Sequence, residues 1–128
     1  MAALLSFHIL GMYPVPASKQ ILLNSPLVSA FTLRNDFFGT KTRFTVSGFD
    51  SSSVAATPPK SARVYVTKVT VGGVQQKSIC FLDFDDVVGG KDIVIYVDSD
   101  ADAAMERGCG GEGTLPDSLG TGGFPIKK

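Results

Sequence analysis

The residues of this 128-residue chain whose types suit chemistry fall into a few short groups. Asp98, Asp100 and Asp102 alternate within Asp98-Ser99-Asp100-Ala101-Asp102, the spacing at the start of an EF-hand calcium loop. Such a loop needs Gly at its sixth position and Glu at its twelfth, and counted from Asp98 these are Ala103 and Cys109. Without the sharp turn and the bidentate ligand, the pattern reads as an acidic strand end in solvent. Asp83, Asp85 and Asp86 form a second carboxylate group. His8, the single histidine, lies in an apolar run with no partnered nucleophile, so a satisfied core or interface histidine is expected rather than a general base. The stretch from Glu106 to Pro125 is rich in Gly but has no Gly-Lys-Ser/Thr, which argues against a phosphate cradle. Such a tail either traces a neighbouring surface closely or stays disordered.

Composition narrows the classes further. Twelve acidic and twelve basic residues cancel, so no long-range field favours nucleic acid or an anionic membrane, and neither is expected as a partner. Fourteen Gly, seven Pro, nine Phe and no Trp suit turns and short strands better than a helical bundle. Cys80 and Cys109 leave the redox compartment open: they pair across the fold in a secreted parent, or they are two reduced thiols. Neither belongs to a Cys-x-x-Cys motif.

The elements that would position these groups can be taken in chain order. Met1 to Leu10 holds no charge and only Ser6 and His8 as polar side chains, which suits a helix of about three turns. Its apolar residues do not keep to one stripe, so the helix needs cover on most faces. Gly11 reads as a C-cap, and Pro14 and Pro16 bar continuation. After a lead-in from Ser18 to Leu23, Leu27–Leu33 and Lys41–Ser47 read as strands of a hairpin, Thr42, Phe44 and Val46 facing a core and Arg43 facing water. Asp50 to Lys60, ending in Pro58-Pro59, reads as a surface loop joining two strands rather than an interdomain linker. Arg63–Val71 is the strongest strand, with Val64, Val66 and Lys68 on one face and Arg63, Tyr65, Thr67, Val69 and Val71 on the other. Gly72-Gly73 supplies a tight turn, and Val74 to Leu82 is expected to return as its partner. Asp83 to Val88 makes a helical turn or a loop, Gly89-Gly90 reverses the chain, and Ile93–Val97, apolar on both faces, belongs in the centre of a sheet. The fold class expected is mainly β: one N-terminal helix, then five or six antiparallel strands in a small β-sandwich.

The opening stretch also carries a resemblance. Met1-Ala2-Ala3, Phe7 and then Leu10-Gly11-Met12-Tyr13-Pro14-Val15 resemble the segment that closes the helical barrel of glycoside hydrolase family 92, the calcium-dependent exo-α-mannosidases. Leu4 and Leu5 stand where that family commonly has Trp-Tyr, a divergence. The similarity resumes at Leu23-Asn24-Ser25-Pro26-Leu27 and at Phe84-Asp85-Asp86-Val87-Val88-Gly89-Gly90-Lys91. Gly111-Glu112-Gly113-Thr114-Leu115-Pro116-Asp117-Ser118-Leu119 resembles the extreme C-terminus of fungal members.

The resemblance implies an inverting glycosidase that removes mannose from α-mannosides or N-glycans, with a carboxylic acid on the leaving oxygen, a carboxylate base on the water and a calcium ion that helps hold and distort the sugar. In the family the base immediately precedes the Met-Ser/Ala-Ala segment, and the acid, the metal ligands and an N-terminal β-sandwich lie farther upstream. Met1 falls where the family has an internal Met. The chain is therefore expected to be the C-terminal fragment of such an enzyme: residues 1–17 the barrel's closing helix, 18–104 a β module and 105–128 a Gly-rich tail. On this reading the partner is a missing upstream barrel. The chain alone has no catalytic, cofactor-binding or metal residue, binds no calcium and is inactive; the Asp83 group falls in a connecting segment to which the resemblance gives no catalytic role. The rival reading is a free-standing secreted β-sandwich, a binding or structural module, with Met1–Leu10 as signal peptide. It lacks the positively charged start, and His8 interrupts the apolar core. A membrane span needs about 20 apolar residues and is excluded. Compartment is left open, a secreted parent and a cytosolic one both being compatible.

Overall fold

The computed structural model describes residues 2–15 and 19–106, and for Ala2, Ala3 and Leu4 the backbone only. The first element is a short helix, α1 (Ala2–Ile9). It ends where Gly11 adopts φ +71°, a conformation that side-chain-bearing residues rarely take. The chain then enters strand β1 (Met12–Pro14), which pairs antiparallel with β2 (Gln20–Leu23). Pro14 fits because β1 is the outer strand, where a missing N–H costs no ladder bond. The third strand of this sheet, β7 (Phe81–Asp83), comes from far along the chain and pairs with β2 through Ile21↔Leu82.

The second sheet has five strands. β3 (Ala30–Asn35) and β4 (Thr40–Ser47) form a hairpin, β5 (Tyr65–Val71) and β6 (Val74–Gln75) form another, and β8 (Ile93–Asp98) lies between the two in the order β3-β4-β8-β5-β6. β8 is antiparallel to β5 and parallel to β4, so the expected wholly antiparallel arrangement is corrected at this pair. The cause is topological. β4 and β5 are joined by the long segment from Gly48 to Val64, which frees them from being neighbours, and β8 enters the gap in the direction that β5 leaves open. Within that segment Ser51–Val54 makes a 3₁₀ turn, its first turn capped by the Asp50 carboxylate.

The central position expected of Ile93–Val97 is the one observed, with Ile93, Ile95 and Val97 all buried. They meet Phe44, Val46, Val69 and Val71 of the neighbouring strands. Met12, Ile21, Leu82 and Val87 join the same cluster, so the two sheets share one core. Each fully buried aliphatic or Phe side chain contributes about 1.5–3 kcal/mol on leaving water. Phe31 stacks on Phe44 with ring centroids 4.5 Å apart. Thr42 is buried, and its Oγ1 accepts the Gly90 N–H at 3.0 Å, while Thr40 Oγ1 donates to the Val88 carbonyl at 2.6 Å. These two hydroxyls fasten β4 to the turn after α2 (Phe84–Val87), a single helical turn, the first of the two conformations expected there.

Two strand assignments change. The return strand after Gly72-Gly73 is only Val74–Gln75; the Phe81–Asp83 run crosses to the other sheet instead. In β5 the register shifts between Val66 and Lys68, so the alternation slips by one residue. Val66 therefore packs on the core together with Val69 and Val71, while Tyr65 is exposed, which reverses the faces expected for the start of the strand.

Candidate functional site

The acidic residues are occupied by local structure. Asp98 Oδ1 accepts the Ser99 N–H at 2.6 Å. Asp100 Oδ1 accepts from Asp102 N at 3.0 Å and Ala103 N at 3.2 Å, capping the short helix α3 (Ala101–Glu106). A carboxylate at a helix start answers N–H groups that would otherwise lack partners. The alternating Asp residues thus start a helix, and they do not converge on a cation. Asp85 in α2 lies 3.8 Å from Lys19, the residue before β2, an exposed pair of small energetic worth. Asp85 and Asp86 also sit in the first turn of α2, where negative charge suits the helix dipole. Among the described residues no three His, Cys, Asp or Glu gather as a metal would require. These residues do not fit the calcium that the resemblance associates with the fold.

His8 is exposed, so of the core-or-interface expectation the core half does not hold. The reason is that α1 has only part of its surface against the β structure: Phe7 and Leu10 pack on the core, while Leu5 is 61% exposed and Ile9 is exposed too. His8 lines two cavities. The larger, about 660 Å³, is walled mainly by apolar groups, among them Leu5, Met12, Tyr13, Leu22 and Leu23. The smaller, about 190 Å³, has Ser25 and Ser53 in its lining. The Ser53 hydroxyl donates to the Asp50 carbonyl at 2.7 Å, and no hydrogen bond joins His8 to either serine among the described residues. The base–nucleophile contact that acyl or glycosyl transfer through serine would need is not made.

Cys80 is disulfide-bonded, so of the two redox readings that of reduced thiols does not hold for this residue. Cys109 and the Gly-rich run that contains it lie outside the described residues. Asp50 is acidified by its surroundings. Its carboxylate is held below the usual range by hydrogen bonds from the Ser52 backbone and hydroxyl, a helix-start effect with no catalytic partner.

One surface feature was not singled out in the sequence. The β3–β4 turn carries Phe37, 89% exposed, and Phe38, 53% exposed, with ring centroids 5.0 Å apart and nearly perpendicular. The signal was present: two large aromatic residues stand where turn chemistry favours small polar ones.

Residues 1–99 match the glycosyl hydrolase family 92 catalytic domain. Solved structures with the same fold include the family GH92 α-mannosidase BT3965 from Bacteroides thetaiotaomicron, at 21% identity and a TM-score of 0.72 over 93% of this chain. The family GH92 inverting mannosidase BT2199 from the same organism is similar at 22% identity and 0.62 over 77%, and the GH92 family glycosyl hydrolase ccman5 at 24% and 0.64 over 90%. The chain spans only 14%, 12% and 13% of these three proteins respectively. No curated protein matches it. The tail resembling fungal members lies beyond the matched residues, and the comparisons give no support to a fungal origin.

Proposed function

Since this chain belongs to glycosyl hydrolase family 92, we propose that it is the C-terminal portion of a longer α-mannosidase, with α1 as the helix that closes that enzyme's barrel and the two sheets as a module that seats it. The observation that carries the reading is one of coverage. Nearly the whole chain, 93%, superposes on an α-mannosidase of which it makes up 14%. The surface at α1 and β1 supports it: Leu5 and Tyr13 are exposed at an apolar cavity and Ile9 is exposed as well, which is the kind of surface that a larger assembly covers. On this reading the general acid, the base and the calcium ligands belong to residues upstream of this chain, and α-mannosides or mannose-bearing N-glycans are substrates of the whole enzyme by inverting hydrolysis. The part played here is to complete the barrel wall.

The test has two arms. The 128-residue chain should release no mannose from an aryl α-mannoside, with or without calcium; release by the pure, full-length-verified chain would overturn the proposal. The genomic sequence directly upstream should continue in frame with an acidic motif just before Met1-Ala2-Ala3. A stop codon there, together with a secreted product that lacks the first residues, would favour a free-standing module.

A further inference from the structure

The connection between β4 and β5 holds a stretch that serves neither sheet, Val54-Ala55-Ala56-Thr57-Pro58-Pro59-Lys60. Every residue of it is exposed, and Lys60 alone is charged. We infer that Thr57 is a modification site, an acceptor for an O-linked glycan added while the chain passes through an oxidising, secretory compartment. Ser and Thr gathered with Pro, as from Ser51 to Pro59, is the composition that O-glycosylated segments share.

The structure selects Thr57 among the hydroxyls of this connection. Ser52 is bonded to the Asp50 carboxylate, and Ser53 is buried and donates to the Asp50 carbonyl at 2.7 Å. Ser51 lies inside the 3₁₀ turn, and Ser61 lies in the turn closed by the Ala62 N–H on the Pro59 carbonyl at 2.9 Å. Among the described residues no hydrogen bond engages the Thr57 hydroxyl, and no backbone bond ties Ala56, Thr57 or Pro58. The backbone leaves the 3₁₀ turn extended at Ala55, with φ −66° and ψ 150°, and each proline disfavours helical backbone at the residue before it, Thr57 and Pro58. Buried Ser53 and Ala62 hold the two ends of the arch. A transferase groove can therefore take up Thr57 without unwinding any regular element. A second, independent observation sets the compartment. Cys80 is disulfide-bonded, and disulfides persist along the secretory route and are rare in the reducing cytosol. Thr57-Pro58-Pro59-Lys60 would also suit a proline-directed kinase, but such kinases work in the cytosol and nucleus, so the disulfide favours sugar over phosphate. In the transfer, Thr57 Oγ1 attacks the anomeric carbon of a phosphate-activated sugar. The new C–O bond replaces the bond to phosphate, which leaves with its electron pair, and the hydroxyl proton passes to the transferase's base. A glycan there shields an exposed loop of the kind that proteases enter.

This goes beyond the family reading and does not rest on it. The experiment is mass spectrometry of the full 128-residue chain secreted from yeast with an added leader. Trypsin frees the peptide from Phe44 to Lys60, which contains Thr57 and Ser51 to Ser53. The peptide should carry one or more hexose units, placed on Thr57 by electron-transfer fragmentation. T57A should lose the sugar, T57S should keep it and S51A should leave it unchanged. Thr57 is exposed, so T57A leaves the fold intact. In the same sample Cys80 should resist alkylation until it is reduced. Four results would overturn the proposal: a bare peptide; sugar on a serine of this peptide with Thr57 bare; phosphate on Thr57 in place of sugar; or Cys80 alkylated without reduction.

Discussion

Gly48 and Gly73 offer a controlled comparison, because they share a backbone conformation and differ in what surrounds them. Their φ angles are +87° and +85°, and both lie in the five-stranded sheet's connections. A Cβ at Gly73 would have nothing within 4 Å. A Cβ at Gly48 would lie 2.6 Å from the Val97 carbonyl oxygen, well inside any real carbon–oxygen contact. Gly73→Ala should therefore cost only the left-handed backbone penalty, about 1–2 kcal/mol. Gly48→Ala carries the same penalty and must also push the end of β4 away from β8, at the point where Ser47 and Tyr96 make the last parallel pairing. Overpacking of this kind adds about 1–3 kcal/mol. It also moves the Gly48 carbonyl, which accepts from Arg63 Nη1 at 3.3 Å. Urea unfolding followed by circular dichroism reads both variants in one transition. At a slope of about 2 kcal/mol per molar urea, the Gly73 variant should shift the midpoint by about half to one molar, and the Gly48 variant clearly further. Equal midpoints would refute the reasoning, since the shared φ penalty leaves the contact with Val97 as the only difference.

Other consequences follow from single contacts. Phe44→Ala removes a fully buried ring stacked on Phe31 and should destabilise by about 3–5 kcal/mol in the same urea assay. Leu5→Glu should reduce self-association in sedimentation velocity without moving the unfolding midpoint, because Leu5 is 61% exposed beside the apolar cavity. Substitution is a cleaner test there than deleting residues 1–12, which would also take Met12 out of the core. The Asp50 carboxyl should titrate by NMR below the ordinary carboxylate value; its folded pKa is lowered by Ser52, so its contribution is complete above the unfolded value and lost as pH falls through the folded one. Asp50→Ala should remove that part of the acid dependence, and a titration at or above the ordinary value would contradict the capping geometry.

Much of the five-stranded sheet was legible in the residues because the rules involved are local. Thr42, Phe44 and Val46 alternate with Lys41, Arg43 and Thr45, and the first three are buried while the others face water. Gly72-Gly73 marked its hairpin, with positive φ at both residues. Ile93–Val97, apolar on both faces, had to be central and is. What was not legible depends on partners distant in sequence. The Ile79–Leu82 run is apolar enough to continue either sheet, and only the competition between β2 and β5 for a partner sends Phe81–Asp83 to β2. Met12–Pro14 looked like the break after a helix, because Pro14 rules out helix and most strands; an outer strand is the exception. The slip in β5 leaves no mark in Val66-Thr67-Lys68, since all three residues suit either face of a strand.

The candidate sites divide along the same line, and α1 shows why. Its residues demand cover on most sides, a requirement that can be read from Met1 to Leu10 without knowing what supplies it. Phe7 and Leu10 find cover in the shared core; Leu5, Ile9 and the imidazole of His8 do not. A stable isolated domain would be expected to spend polar side chains on that outer surface, as it does on the solvent face of β4 with Lys41, Arg43 and Thr45. The contrast between these two surfaces of one small molecule is what the proposed packing of α1 against the rest of a longer protein would account for.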